Sequence, residues 1–267
     1  AARDDVCAAF SNMYNENAAD FPVDARELEY RERMVSCYPI HPEVFDRLYE
    51  DWATLDRFQR TRGVLRLMAS VIHELWMRQD PAPMIMPGSF PLDVPSVRDE
   101  LTRYLDDNWN GVVDSEVDGK LSLPYRNDSE NSRYGVILAS RRVARTVMLG
   151  SAPDVSGQTA RGIERAHIRL GSVQPRENIA VFNDALATLK SSSSYLYSDA
   201  AANRYWYDTR PTLRKVAEDR AQQYQDSDAL YEVERRLKEQ RCAQPFSGKH
   251  VCPASTLDIP DEDTLRI

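Results

Sequence analysis

The stretch FQRTRGVLRLMASVIHELW, residues 58–76, has the clearest helical pattern in the chain. Its apolar residues recur at intervals of three and four, which is the period of an amphipathic helix. The pattern predicts a helix that begins near Thr61, tolerates Gly63 and runs to about Gln79, where Asp80 and a proline end it. Helical patterns also fill the residues before it, so we expect a mainly α fold.

Arg62 and Arg66 lie one turn apart near the start of this predicted helix. Residues i and i+4 share a helix face, so the two side chains should project together. Two interpretations stay open. Either the arginines pair with nearby acids at the surface, or they offer guanidinium groups to an anion, since guanidinium matches the oxygens of phosphate. The acids available for the first interpretation are Glu43, Glu50 and Asp56.

The composition is that of a globular protein. The chain has 267 residues, 42% hydrophobic and 28% charged, which allows one or two domains. Its net charge of -8 disfavours whole-chain electrostatic binding to nucleic acid or to an anionic membrane. No apolar run approaches the roughly 18 residues of a membrane span, and four cysteines are too few for a disulfide scaffold. We expect a soluble, cytoplasmic protein without membrane contact.

Four regions are expected along the chain. Residues 1–80 form a helical domain, and residues 81–133 form a proline-rich connector with one helix and a polar loop. Residues 134–210 hold three helical segments and a hairpin, and residues 211–267 begin with one long charged helix. The chain opens inside a helical pattern and stops inside a strand-like one, so we expect a piece of a longer protein, with a truncated C-terminal region.

Residues 134–210 have the element order of a winged helix. Two helical segments are expected to end at Gly150 and Gly171, and a third follows. The aromatic runs SYLYS and RYWYDT flank a polar turn, which is a β-hairpin signal. The predicted fold class is mainly α, a helical bundle followed by a winged-helix domain with a small β-hairpin wing. The predicted core residues of that domain are Val143, Val147, Ile163, Ile168, Phe182, Leu186 and Leu189.

The same region is rich in arginine, with eight arginines and two acids over residues 133–176. The predicted recognition helix, residues 176–190, has two acids and two bases, whereas direct base readout needs donor side chains on that helix. A protein-contact or structural role is therefore favoured over DNA binding. The candidate contacts for the nucleic-acid alternative are Arg141, Arg142, Arg145, Arg161, Arg165 and Arg169.

Motifs for catalysis or metal binding are missing from the sequence. It contains no GxxxxGK[ST], GxGxxG, HExxH or GxSxG pattern. Cys242, His250 and Cys252 lie within eleven residues, but a structural zinc site needs four ligands and no fourth is evident. We therefore interpret them as ordinary residues and expect no catalytic residue and no metal in this chain.

Five segments resemble one family: residues 38–69, 143–153, 170–175, 204–221 and 250–266. They are similar to the domain-of-unknown-function 499 family of large prokaryotic ATPases of the AAA type. In that family a nucleotide-binding core with Walker motifs precedes the region seen here. The resemblance implies that this chain is the helical AAA-type lid, the winged helix and the start of a further region. The missing core would be its partner and would use ATP and Mg²⁺.

The resemblance also implies a role for the arginines. In related AAA-type lids, a Gly-x-x-Arg at the head of a lid helix is the sensor arginine that reaches the γ-phosphate. Gly63 to Arg66 matches this spacing, with Arg62 as a helper. Genes of the family often neighbour DNA methylases and helicases in phage-defence islands. The expected function is non-catalytic coupling of nucleotide state to partner contacts. The alternative is a nucleic-acid-binding module that uses helices 134–170.

Overall fold

A computed structural model of the chain describes residues 2–52, 60–151 and 161–267. These residues are mainly helical and include a small three-stranded antiparallel sheet. The chain divides into two compact units, of which the first ends at Thr212 and the second spans Leu213–Ile267. Within the described ranges, none of the helices has the length and apolarity that crossing a lipid bilayer requires.

The first unit carries most of the helices. Short π-helical segments extend α3 and α6 at Arg47–Asp51 and Val113–Val117. The helices of this unit are α1 (Ala2–Glu16), α2 (Leu28–Cys37), α3 (Pro42–Asp46), α4 (Arg60–Met77), α5 (Pro95–Thr102), α6 (Asn108–Val112), α7 (Leu123–Glu130), α8 (Ser132–Gly135), α9 (Ala139–Ser151), α10 (Arg165–Ser172) and α11 (Ile179–Ser192). The second unit contains α12 (Leu213–Ala221) and α13 (Asp226–Glu239).

The sheet has the order β1-β3-β2, with all strands antiparallel. Its strands are β1 (Ile163–Glu164), β2 (Leu196–Ser198) and β3 (Arg204–Tyr207). β2 and β3 form the hairpin that the aromatic runs predict, with Tyr197 opposite Trp206. β1 pairs with the other edge of β3, with Ile163 opposite Tyr205. The sequence did not predict β1, because two residues are too few to show an alternating pattern. The strand forms only by pairing with β3, 40 residues further along the chain.

The core of the first unit surrounds α9. This helix packs against α7, α10, α11 and β3, and nearly all of its residues are buried. Trp52, fully buried, donates its indole N–H to the carbonyl oxygen of Leu149 at 2.7 Å. The predicted core is confirmed, because all seven residues are at most 2% exposed: Val143, Val147, Ile163, Ile168, Phe182, Leu186 and Leu189.

The polar stretch before α9 is not the loop that its composition predicts. It contains α7 and α8, and the polar residues are their N-caps. The Ser122 hydroxyl accepts a hydrogen bond from the amide of Tyr125 at 3.3 Å, and the Asn131 side chain accepts one from the amide of Arg133 at 3.0 Å. Serine and asparagine favour both turns and helix starts, so composition does not separate the two. The long charged helix expected after residue 210 is divided into α12 and α13.

Gly150 and Gly171 do not terminate their helices. α9 continues to Ser151 and α10 to Ser172, so both glycines lie inside helices. They permit close packing instead. A Cβ on Gly150 would lie 2.6 Å from Cδ1 of Ile163, and one on Gly171 would lie 2.6 Å from Cγ2 of Thr146. Because glycine lacks a Cβ, β1 and α10 can approach α9 this closely.

Candidate functional site

The two arginines that resemble a sensor lie on an exposed face of α4. Arg62 and Arg66 are both exposed, one turn apart, as their spacing predicts. The opposite face of the helix is buried through Val64, Leu67 and Val71. The arginines are therefore carried by a helix that is anchored in the core rather than by a loop.

Arg66 has a carboxylate partner that the sequence did not indicate. Its guanidinium Nη2 lies 3.0 Å from Oε1 of Glu100 on α5, and Arg103 lies 2.8 Å from the same oxygen. Of the acids considered at the outset, Glu43 binds other groups, whereas Asp56 and the side chain of Glu50 lie outside the described residues. Arg66 is 51% exposed and Glu100 is 15% exposed, and since the guanidinium stays hydrated the pair contributes roughly 0–1 kcal/mol, so it orients Arg66 without fixing it.

The charges at the start of α4 oppose the helix dipole. Arg62 lies in the first turn, and that turn has no acidic residue. The N-terminal end of a helix carries partial positive charge, so a cation there lowers helix stability by roughly 0.3–1 kcal/mol. The arrangement costs stability in isolation. It would favour an anion placed between the helix end and the two guanidinium groups.

Arg145, a candidate nucleic-acid contact, is instead a buried structural residue. Its Nε and Nη2 donate to the two carboxylate oxygens of Asp118 at 2.8 and 2.9 Å, and its Nη1 donates to the carbonyl oxygen of Gly88 at 3.2 Å. Asp118 also accepts a hydrogen bond from the amide of Asp93 at 2.9 Å. Burial raises the pKa of Asp118 to about 6, against the opposing charge of Arg145.

Three further candidate arginines are also engaged inside the first unit. Nη1 of Arg142 donates to both carboxylate oxygens of Glu177, at 2.7 and 2.9 Å. Nε of Arg141 donates to Asp128 at 3.1 Å. Arg169 donates to a backbone carbonyl and to the side chain of Asn183. With Arg145, these side chains are each less than a fifth exposed.

Arg161 and Arg165 are the two candidate arginines that reach solvent. The guanidinium of Arg161 pairs with Asp208 at 3.0 Å and lies over the ring of Trp206, 5.6 Å from its centroid. Arg165 is exposed and donates to the hydroxyl of Tyr205 at 3.2 Å. The structure therefore separates the six candidates into four that are largely covered and engaged, of which Arg145 is buried, and an exposed pair beside the sheet.

A buried cluster of titratable groups at the start of α3 was missed from the sequence. His41 is fully buried and caps α3, since its Nδ1 accepts the amide of Glu43 at 3.2 Å. Its Nε2 therefore carries the proton and donates to the hydroxyl of Tyr14 at 2.9 Å. Burial, and then the charge of Arg33, lower the pKa of His41 to about 3, so the ring is neutral.

The carboxylate of Glu43 joins this cluster to α10. It is almost fully buried and lies 3.1 Å from Nδ1 of His167 and 3.1 Å from Nε of Arg47. Burial alone would lower the pKa of His167, but its hydrogen bond to Glu43 and the Glu43 charge raise it. The proline after His41 is a sequence signal for a helix start and could have identified the cap. Nothing local could identify His167, which lies 124 residues from Glu43 along the chain.

Cys242 and Cys252 are exposed and unpaired with each other, and both line one cleft of the second unit together with His250. Among the residues that the structure describes, no three or more His, Cys, Asp or Glu side chains form a group able to hold a metal ion.

A family model described as DUF499 second domain matches residues 10–207. The chain belongs to this family. The match ends at the last residue of β3, so it covers most of the first unit and none of the second. No curated protein and no solved structure matches the chain. Membership in the DUF499 family is thus confirmed, while the expected link to AAA-type ATPases stays a prediction.

Proposed function

We propose that this DUF499 domain is the non-catalytic lid and winged-helix part of a larger ATPase, and that it couples nucleotide state to partner contacts. The observation that carries the proposal is the start of α4. Arg62 and Arg66 project from an anchored helix, and Arg62 lies in its first turn, where a cation lowers helix stability. An arrangement that costs stability needs a compensating use, and an incoming phosphate would supply one.

In this proposal Arg66 contacts the γ-phosphate of ATP bound to a separate nucleotide-binding core, and Arg62 assists. The core would supply the phosphate loop and hold Mg²⁺, both of which phosphoryl transfer requires. Glu100 would hold Arg66 in place until nucleotide arrives. The description of the matched family as a second domain supports a neighbouring domain in its members.

The element order from α9 to β3 supports the winged-helix assignment. The order is helix, strand, helix, helix, strand, strand, with the sheet order β1-β3-β2. α11 is then the helix that a DNA-binding winged helix would place in the major groove. Its exposed residues include Ala180, Asp184, Ala187 and Lys190, so one acid offsets one base, and Asp184 lies 3.5 Å from the guanidinium of Arg133. That surface is not basic and fits a protein partner better than DNA.

The decisive experiment replaces Arg66 in the full-length ATPase. Arg66→Ala should lower ATP turnover tenfold or more, which corresponds to about 1.4 kcal/mol or above of transition-state stabilisation. Arg103→Ala is the matched control, because Arg103 binds the same oxygen of Glu100 and should leave turnover within about twofold. The present 267-residue chain alone should hydrolyse no ATP. Equal turnover in the Arg66 variant and wild type would remove the sensor role.

The nucleic-acid alternative has one favourable observation. Tyr197 and Trp206 stack with ring centroids 5.9 Å apart, and Arg161 lies over Trp206. Stacked aromatics beside arginine are a platform for single-stranded bases. If this surface binds nucleic acid, affinity should fall steeply with salt and with Arg161→Ala. An affinity that changes neither with salt concentration nor with Arg161→Ala would exclude nucleic-acid binding by this surface.

A further inference from the structure

α4 carries an exposed apolar stripe beside its arginines. The stripe consists of Leu65, Ala69, Ile72 and Trp76, which lie within an arc of about 60° at 3.6 residues per turn. Leu65 is 65% exposed and Trp76 is 75% exposed. At its C-terminal end the stripe borders a cleft of about 350 Å³ lined in part by Leu75, Met84 and Ile85. A tryptophan exposed this far is unusual outside an interface.

The spacing of the stripe is self-complementary. Its intervals are four, three and four residues, which read the same in both directions and match the seam of a coiled coil. An antiparallel second copy of α4 would therefore meet the stripe in register. Leu65 would lie opposite Trp76 of the second copy, and small Ala69 opposite the larger Ile72. Pairing small with large side chains fills space between helices without voids.

The charges at the two ends favour the same arrangement. Arg62 lies at the N-terminal end of the stripe, and Asp80 is exposed just beyond its C-terminal end. An antiparallel pair brings each Arg62 towards Asp80 of the other copy, whereas a parallel pair would bring like charges together. Arg66 lies roughly 90° around the helix from the centre of the stripe, so the pairing leaves it open.

We propose that two copies of this chain associate through antiparallel contact of their α4 stripes. The stripe has only four side chains, so its contact area falls below the roughly 800 Å² per partner of a stable dimer. The expected product is therefore a weak, reversible dimer with a dissociation constant on the order of 10 µM. This inference uses the apolar face of α4 and does not depend on the nucleotide-sensing role of Arg66.

Sedimentation equilibrium of the 267-residue chain between about 1 and 200 µM tests the proposal. We expect a reversible shift from 30.5 kDa to twice that mass. Trp76→Arg and, separately, Ala69→Arg should each weaken dimerisation at least about 30-fold, the scale of an interface hot spot. Val136→Arg is the control, because Val136 is 85% exposed and lies outside the stripe. Circular dichroism would verify that all variants remain folded.

Cross-linking then tests the orientation. In a background with the accessible cysteines Cys37, Cys242 and Cys252 changed to serine, Ala69→Cys and Ile72→Cys are made singly. Under oxidation, a mixture of the two should cross-link faster than either alone. Faster cross-linking of each alone would indicate parallel pairing and overturn the proposal. A monomer throughout the concentration range would also overturn the proposal. A dimer that persists in both the Trp76→Arg and the Ala69→Arg variants would do the same.

Discussion

α4 and α9 carry arginines at the same spacing and use them in opposite ways. Arg62 and Arg66 are four residues apart on α4, and so are Arg141 and Arg145 on α9. The arginines of α4 project into solvent, whereas Arg145 is buried and held by both oxygens of Asp118. A basic pair on a helix is therefore not evidence for an accessible positive charge. Accessibility depends on which carboxylates the rest of the fold brings near.

The contrast also concerns energy. A buried arginine and its carboxylate each lose hydration, so removing one partner leaves a costly isolated charge. An exposed arginine loses little hydration and contributes little to stability, which leaves it free to act on an external anion. α9 has many packed neighbours and α4 has one open face. The arginines of α4 are therefore better suited to bind an external ligand, and Arg145 of α9 is better suited to stabilise the fold.

The largest expected effect is on the α9 side of the comparison. Arg145→Ala should lower the free energy of unfolding by about 3–5 kcal/mol, since it leaves Asp118 buried without its counter-charge. Chemical denaturation monitored by circular dichroism measures this. Arg133→Ala is the control, because its ion pair with Asp184 is well exposed, and the change should stay below about 1 kcal/mol. Similar small losses in both variants would mean that the Asp118 pair is not buried in solution.

A second prediction concerns the packing of α11 against α9. Phe182 is 1% exposed, so Phe182→Ala should cost about 3–5 kcal/mol through lost burial and the cavity left behind. Thermal and denaturant unfolding give the value. Ala187→Ser, at an exposed position of the same helix, should change stability by less than about 0.5 kcal/mol. A loss below about 1 kcal/mol for Phe182→Ala would place this side chain at the surface.

The pH dependence of stability should report the His167–Glu43 contact. The pKa of His167 is raised in the folded state, so the folded protein binds its proton more tightly than the unfolded chain does. Its contribution is complete below the unfolded value of about 6.5 and is lost as pH rises through the higher folded pKa. Unfolding measured from pH 6 to 9 should show this decline, and His167→Gln should flatten it. An unchanged slope in the variant would contradict the ion pair.

The smallest stability effect is expected on α4. Arg66→Ala should change the free energy of unfolding by only about 0–1 kcal/mol, because the Arg66 side chain is half exposed and Arg103 still pairs with Glu100. Together with a large fall in ATP turnover of the parent protein, this would separate function from stability at one residue. A loss of 3 kcal/mol or more would instead make Arg66 a structural residue like Arg145.

The helices could be predicted where the pattern that specifies them lies within one short segment of sequence. The apolar period predicted α1, α2, α4 and the helices around Phe182, and the aromatic runs predicted the hairpin, because these patterns repeat within one element. The shared face of Arg62 and Arg66 was predictable for the same reason. Family membership was also readable, since the resembling segments extend over most of the chain.

The remaining features depend on residues that meet only when the chain folds. Arg145 with Asp118, Glu43 with His167, and Arg66 with Glu100 are separated by 27, 124 and 34 residues. No local period encodes such pairs, and an arginine has the same helical propensity whether its guanidinium ends in solvent or on a buried carboxylate. Sequence therefore established which faces of the helices are apolar and where the cations lie along the chain. Tertiary packing settled which of those cations became buried and which remained open to a ligand.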